Sequence, residues 1–448
     1  MEIRAIILAA GQGTRMNSTL PKVLHPLLGR PLAAYSVEAA SAVCGQAPLV
    51  VVGHGAELVR QALVDSARYV TQAEQLGTGH AVLQCEAELA GFAGLLLIIS
   101  ADMPLLRGET LTALTQVQAA NPGPLSLLTV SGPDPRGFGR VVRAADGSVT
   151  AIVEEAAATP AQLAIREYNV GAYCVRADWL WPALKRIQRS PKGEYYLTDI
   201  VQLAVADSLP VVASPVAEPV EALGINTRAH LAEAAAALRA RVNTHWMEAG
   251  VTMIDPAQVY IEPTVTLSPD TTLWPGTYLK GATTIGRGCE IGPNSIIDSC
   301  KVGSDCRILA SVMEYAVLED HVEMGPFCHL RKGAHLASHV HMGNFGEVKD
   351  SYLGEGTKMG HFSYIGNATI AGDVNIGAGT ITCNFDGVHK HPTEIGEGAF
   401  IGSDTMLVAP VKIGKGARTG AGSVVNRDVA PGDVVVGVPA RPLRKEPK

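Results

Sequence analysis

Residues 395–425 read IGEGAF IGSDTM LVAPVK IGKGAR TGAGSV V, so that Ile395, Ile401, Leu407, Ile413, Thr419 and Val425 recur at every sixth position, with glycine directly after each of the three isoleucines at Gly396, Gly402 and Gly414. Upstream the same beat returns at Ile285, Ile291 and Ile297 and at Leu353, Met359 and Ile365, accompanied by Gly286, Gly292, Gly354, Gly360, Gly366 and Gly377. A period of six matches neither a helix nor a plain strand. It fits a parallel β-helix in which each coil takes three hexapeptides and stacks its aliphatic residues on those of the next coil. The 47 glycines, concentrated beyond residue 275 without a triplet period, supply the tight turns this requires. The beat slips near residues 301, 343 and 384, where loops are expected to leave the coil, and such loops carry function more often than the coils do.

Working back from the repeats, the helical signal stops at Pro256. Before it, Thr227 is a plausible N-cap, and Leu231, Ala235, Leu238, Val242 and Trp246 follow at helical spacing, which predicts one long amphipathic connecting helix. From residue 1 to about 225, the apolar runs Ile3–Ala10, Leu49–Val52, Leu95–Ile99 and Leu125–Val130 alternate with helical patterns, as in an α/β sheet. The chain of 448 residues is too long for one core, and three segments are expected: 1–226, 227–249 and 250–448. Charged residues make up 18% and apolar ones 47%, which excludes a disordered chain. A net charge of -7 without a basic face argues against nucleic acid. Eight cysteines without CxxC or zinc spacing read as reduced core residues. No leader and no apolar run of bilayer length is seen, so a cytoplasmic protein without membrane insertion is expected.

Leu8-Ala9-Ala10-Gly11-Gln12-Gly13-Thr14-Arg15-Met16, followed by Pro21-Lys22, leaves a buried strand and enters a glycine loop, where backbone N–H groups can meet phosphate. It is not a dinucleotide fingerprint, because Met16 stands at the third glycine, and it lacks the Walker spacing. Asp102, in Ser100-Ala101-Asp102-Met103-Pro104, follows a strand at the carboxyl edge of the sheet, where it can hold a hard cation or merely cap a turn. In the repeats, His361 interrupts the beat between Met359 and Ile365, as a base or as a solvated turn residue. His321, His329, His335, His339 and His341 lack tetrahedral spacing and read as solvent-facing or packing residues rather than metal ligands.

The loop string resembles the sugar nucleotidyltransferase signature, and the chain along essentially its whole length resembles the bifunctional N-acetylglucosamine-1-phosphate uridylyltransferase/glucosamine-1-phosphate N-acetyltransferases. That resemblance implies a Rossmann-like nucleotidyltransferase domain, a linker helix and a left-handed parallel β-helix that forms homotrimers. It implies Leu8, Ala9, Ala10 and Gly11 around the nucleotide, Arg15 and Lys22 on the triphosphate, and Gln72 with Gly77 and Thr78 at the uracil edge. Gly139 in Gly137-Phe138-Gly139-Arg140, Glu154 and Asn169 would contact the sugar. Asp102 and Asn226 would bind Mg²⁺, with UTP and N-acetylglucosamine-1-phosphate as substrates.

In the repeats the resemblance implies His361 as general base, with Arg331 and Lys349 on the phosphate of glucosamine-1-phosphate. Tyr364, Asn375, Asn384 and Phe385 would orient the sugar. Acetyl-CoA would be bound along Ala378, Ser403 and Ala421, a set to which Asn384 and Phe385 also belong. Gly346 stands where a bulkier residue is expected, Phe385 replaces a tyrosine common in the family, and Arg441 is a weak candidate for the CoA phosphate. Two rival readings stay open at this point: a single-activity nucleotidyltransferase whose β-helix is structural or regulatory, and a non-catalytic sugar-nucleotide sensor.

Overall fold

A computed structural model describes residues 1–442. The chain divides into two compact units, Met1–Leu238 and the part from Arg239 onward. The first is built on a nine-stranded sheet whose main path runs Val211–Pro215, Leu125–Ser131, Glu167–Arg176, Leu95–Ser100, Ile3–Ala9, Leu49–Val52, Arg68–Thr71. All of these neighbours pair in parallel except Glu167–Arg176, which is antiparallel to both of its neighbours. The four runs expected to be strands are strands, and Leu49–Val52 and Leu95–Ile99 are buried throughout, as strands covered on both faces must be. Parallel strands align their carboxyl ends on one edge. There the loop after Ile3–Ala9 and the Ser100–Asp102 turn come together.

The second unit is a left-handed parallel β-helix of hexapeptide repeats, with three stacked sheets of 12, 10 and 9 strands. Each coil contributes one short strand to each sheet, and every sixth side chain points inward. Ile291, Ile308, Met324, Met342, Met359, Ile376 and Ile401 thus form one buried column, none more than 3% exposed. Four cysteines fill interior positions of the coils, and all eight cysteines are free thiols.

The outward columns of the faces differ. On the first face the outward column runs Glu290, Arg307, Glu323, His341, Lys358, Asn375. On the second it runs Tyr260, Tyr278, Ile296, Val312, then His329, Glu347 and Tyr364, then Ile381, Met406, Val424. The second face is therefore apolar towards both ends and polar in between.

Of the three expected loops, one exists. Between Asn375 and its register partner Phe400 the chain makes an excursion over Asn384–His391, closed by an antiparallel bridge between Phe385 and Lys390. At 301 and 343 no loop leaves the coil. Lys301 pairs with Thr284, and Lys358 with His341, each one residue short of three hexapeptides, so those slips are tightened corners.

A helix forms where one was expected, over Arg228–Glu248, with Thr227 Oγ1 accepting from the His230 N–H at 3.2 Å, but of the five apolar positions expected on its inner face only Leu238 is buried. Its buried positions are Ala234, Leu238 and Asn243, while Val242 and Trp246 pack on the core of the repeats.

Candidate active sites

The cleft of the first unit has a volume of 710 Å³ and opens at the carboxyl edge of the sheet. Leu8, Ala9, Ala10, Gly11, Lys22, Gln72, Gly77, Thr78, Asp102, Gly139, Glu154, Asn169 and Asn226 all line it. A Cβ at Gly13, held at φ +64°, would lie 2.5 Å from Lys22 Cβ, so glycine there lets the lysine cross under the loop into the cleft. A Cβ on Gly11 would meet nothing within 4 Å, which leaves its backbone open to a ligand. Asn169 sits where the ladder to Leu125–Ser131 shifts register; its amide donates to Tyr173 Oη at 2.7 Å and its Oδ1 accepts from the Gly171 N–H at 3.1 Å.

Lys22 Nζ lies 2.5 Å from Asp102 Oδ2 and donates to Asn226 Oδ1 at 3.1 Å. Burial alone would raise the Asp102 carboxyl, but the Lys22 ammonium and hydrogen bonds from Lys22 and Ser100 outweigh it and hold the group below the usual carboxylate range. Asp102 and Asn226 thus converge on one cation-sized position, filled by an ammonium. Two side-chain oxygens of this kind are what a hard divalent ion takes. Arg15 departs from expectation: it is exposed on the turn Thr14–Met16 and does not line the cleft, because a fully charged guanidinium without a buried carboxylate to pair with is best left in water.

In the repeats, Lys358, Asn375, Phe400 and Arg418 are register partners on successive coils. Three residues beyond each come His361, Ala378, Ser403 and Ala421, which therefore stack along one corner. The backbone bonds Gly379 N–H to Phe362 O, Asp404 N–H to Ala378 O and Gly422 N–H to Ser403 O tie that corner together. His361 is exposed and makes no hydrogen bond among the described residues. Beyond it Ala378 is half-buried and Ser403 and Ala421 are exposed, so only small side chains follow along the coil axis.

At the opposite edge of the second face, Arg331 and Lys349 adjoin on neighbouring coils, with the Arg331 N–H donating to Val348 O at 2.9 Å. Arg331 Nη1 pairs with Glu347 at 3.0 Å and Lys349 lies 3.7 Å from Asp350. The excursion Asn384–His391 brings in a third cation. The Lys349 ammonium beside it, through hydrogen bonding and through repulsion, holds Lys390 below its ordinary range, with burial and Arg331 adding to the effect. Asp386 fixes this loop by accepting from the Val388 and His389 N–H groups at 2.7 and 2.6 Å and pairing with His391 at 2.7 Å. Those bonds, the His389 N–H first, draw its carboxyl far below the usual range. Asn384 donates to Asn367 Oδ1 at 2.7 Å, Phe385 is exposed, and Tyr364 lies in register between Glu347 and Ile381.

Residues 5–202 match the model of a MobA-like NTP transferase domain, residues 392–427 that of six bacterial transferase hexapeptide repeats, and residues 282–312 a hexapeptide repeat of succinyl-transferase. The chain is 46% identical to the bifunctional protein GlmU of Pelobacter propionicus, covering 97% of this chain and 95% of that one. It is 46% identical to the bifunctional protein GlmU of Heliobacterium modesticaldum, over 96% and 94%, and 44% identical to that of Geobacter sulfurreducens, over 95% and 94%. The chain belongs to the bifunctional GlmU family.

Within this GlmU-family chain several residues at the two sites escape a reading of the sequence. Glu194, Tyr196 and Thr198 line the cleft from one connecting segment with no string to announce them, while Gln75 and Phe138 line it as neighbours of residues already singled out. Lys390 sits in a loop whose path no periodicity fixes. Gly346 is explained by packing, since a Cβ there would lie 2.7 Å from both Met342 Cε and Met359 Cε, so the two thioethers fill the space of the missing side chain. Arg441 lies exposed on the strand Arg441–Pro442 and donates to its neighbour Ala440 O. Four of the five histidines of residues 321–341 pair with carboxylates of the preceding coil, His335 with Glu319 at 2.8 Å and His341 with Glu323 at 3.0 Å among them. His339 instead stacks on His321.

Proposed function

We propose that the repeats acetylate glucosamine-1-phosphate from acetyl-CoA and that the first unit then transfers UMP from UTP to the resulting N-acetylglucosamine-1-phosphate, releasing pyrophosphate and UDP-N-acetylglucosamine. The observation that carries this reading is the corner column His361, Ala378, Ser403, Ala421, with three cations at the far edge of the same face. A structural or regulatory post needs neither a base at the head of a track of small residues nor three adjacent cations that suit a phosphate dianion.

In the first reaction His361 takes a proton from the sugar amine as the nitrogen attacks the thioester carbonyl. The N–C bond forms, the C–S bond breaks, and the departing sulfur leaves as the CoA thiol once protonated. Arg331, Lys349 and Lys390 hold the sugar phosphate, while Tyr364, Asn375, Asn384 and Phe385 orient the ring. The track along Ala378, Ser403 and Ala421 takes the pantetheine arm.

In the second reaction the phosphate oxygen of the sugar attacks the α-phosphorus of UTP in line with the departing pyrophosphate, so no covalent nucleophile is needed. The loop Leu8–Gly11 offers its backbone to the nucleotide, Gln72, Gly77 and Thr78 read the base, and Gly139, Glu154 and Asn169 contact the sugar. Mg²⁺, held by Asp102 and Asn226 when bound, supplies neutralising charge to the phosphates. Lys22, whose ammonium bridges those same two oxygens, then turns to the triphosphate, and Arg15 approaches from the rim.

We further read the chain as a cytoplasmic homotrimer with each acetyl site shared between copies. Free thiols at all eight cysteines support a reducing compartment. Support for sharing comes from the span of Ser363–Gly366, four residues or roughly 13 Å of extended chain, between the His361 corner and the cationic corner of one chain. A further copy packed on the second face, held by its apolar ends, would bring a His361 corner beside the partner's cations.

The test is CoA thiol release on mixing the chain with acetyl-CoA and glucosamine-1-phosphate. His361→Ala should lower it by about 10²- to 10⁴-fold and leave pyrophosphate release from UTP intact. Unchanged acetyl transfer in that variant would sink the assignment of the base.

A further inference from the structure

Gln72 lines the cleft but is only 3% exposed, and its amide is held from behind. Gln72 Nε2 donates to Gly77 O at 3.1 Å and lies 3.0 Å from His80 Nδ1. On the other side of the same imidazole, Gln84 Nε2 is 3.1 Å from His80 Nε2 and donates to His80 O at 3.1 Å. A neutral imidazole has one N–H and one bare nitrogen, so it cannot accept from both amides. One of the two must turn.

The Gly77 carbonyl can only accept, which fixes the Gln72 nitrogen on that side. Gln72 is buried, with no water to take over a lost partner, whereas Gln84 is partly exposed and can exchange its bond to His80 O for solvent. The arrangement that satisfies the buried amide has His80 Nδ1 bare, accepting from Gln72, and His80 Nε2–H donating to the Gln84 oxygen. Both hydrogens of Gln72 Nε2 are then committed to protein acceptors. Only Gln72 Oε1 is left for a ligand, and it has no partner among the described residues.

We infer that His80, which does not itself line the cleft, is a positioning residue that locks Gln72 with its amide oxygen towards the nucleobase, so that the site selects a pyrimidine whose ring N3 carries a hydrogen. Uracil offers N3–H to that oxygen. Cytosine offers a lone pair at the same place, and two acceptors facing each other in a water-poor site is the kind of mismatch that gives large discrimination. Thymine has the same N3–H edge as uracil, so the lock sorts uridine from cytidine and not from thymidine. The inference rests on the reading of Gln72 as the base-contacting residue.

The experiment compares kcat/KM for UTP and CTP in pyrophosphate release, using the full-length chain and its variants His80→Phe, His80→Asn and Gln72→Ala. His80→Phe should lower the UTP-over-CTP ratio at least about tenfold, with the loss in KM for UTP rather than in kcat. His80→Asn, whose Oδ1 can stand in for the bare Nδ1, should keep the ratio within about threefold. A full-length chain that uses CTP as well as UTP overturns the inference, as does a His80→Phe ratio that is unchanged while Gln72→Ala collapses it. If Gln72→Ala also leaves the ratio unchanged, the reading of Gln72 fails first and the inference with it. Should His80→Phe not fold, the ¹⁵N resonances of His80 in the unsubstituted chain decide: a proton on Nε2 with Nδ1 bare supports the lock, and a proton on Nδ1 removes it.

Discussion

Glu154 faces the cleft with Thr198 Oγ1 donating to it at 3.1 Å. Burial raises its carboxyl above the usual range; the Thr198 hydroxyl works against that shift, and Asp199 and Glu194 nearby reinforce it. An acid with a folded-state pKa above its unfolded value costs stability wherever it is ionised in the fold, and the cost vanishes below the unfolded value of about 4.3, where both states are neutral. Glu154→Gln is therefore expected to stabilise the first unit by about 1 kcal/mol at neutral pH while weakening the proposed sugar contact. Denaturant melts should show the gain at pH 7–8 and lose it as the pH falls towards 4; a gain independent of pH would point to packing rather than charge. Asp102 carries the opposite sign. Lys22 keeps its folded-state pKa low, so its contribution is present above the unfolded value and is lost as the pH falls through the folded one. At this scale the sequence is legible where neighbours in the chain are neighbours in the site, as in Leu8–Lys22. It is silent where a segment such as residues 194–198 arrives from a loop far along the chain.

The elements were legible to the extent that their periods are strict. Parallel strands buried on both faces write continuous apolar runs, and stacked coils write every sixth residue, so both architectures could be read directly. The tightened corners at 301 and 343 could not be told from loops, because a missing residue and an inserted one break a six-residue beat alike. What a corner tolerates depends on what the next coil puts against it. A Cβ on Gly343 would lie within 1.9 Å of Gly360 O, a backbone atom pinned by the stack, whereas one on Gly346 meets only the mobile ends of Met342 and Met359. Gly343→Ala is accordingly expected to lower the melting temperature of the repeats by about 5 °C or more, and Gly346→Ala by less than about 3 °C. Similar losses from both would mean that the thioethers are as fixed as the backbone.

At the scale of the whole molecule, the second face of the β-helix sets the terms. Tyr260, Tyr278 and Ile296 are 36%, 39% and 40% exposed and lie in register on adjacent coils, Tyr260 and Tyr278 stacked 4.4 Å apart. An apolar column of this length is costly to leave in water, and packing it against further copies of the chain around a three-fold axis, as in the proposed homotrimer, removes that cost on every partner. Ile296 lies away from His361 and from Arg331, Lys349 and Lys390, so a charge placed there reports on assembly rather than on chemistry. Ile296→Asp would bury a carboxylate without a partner in any such contact, a penalty of several kcal/mol per copy. The expected outcome is a shift from trimer to monomer in sedimentation velocity at micromolar chain concentration, with acetyl transfer reduced at least about 10²-fold and uridylyl transfer retained, because the cleft of the first unit is complete within one chain. Raising the protein concentration should restore acetyl transfer in step with the trimer. A monomeric variant with full acetyl transfer would instead mean that one chain closes the distance between His361 and the three cations by itself, and the shared-site reading would have to be given up while the two activities stood.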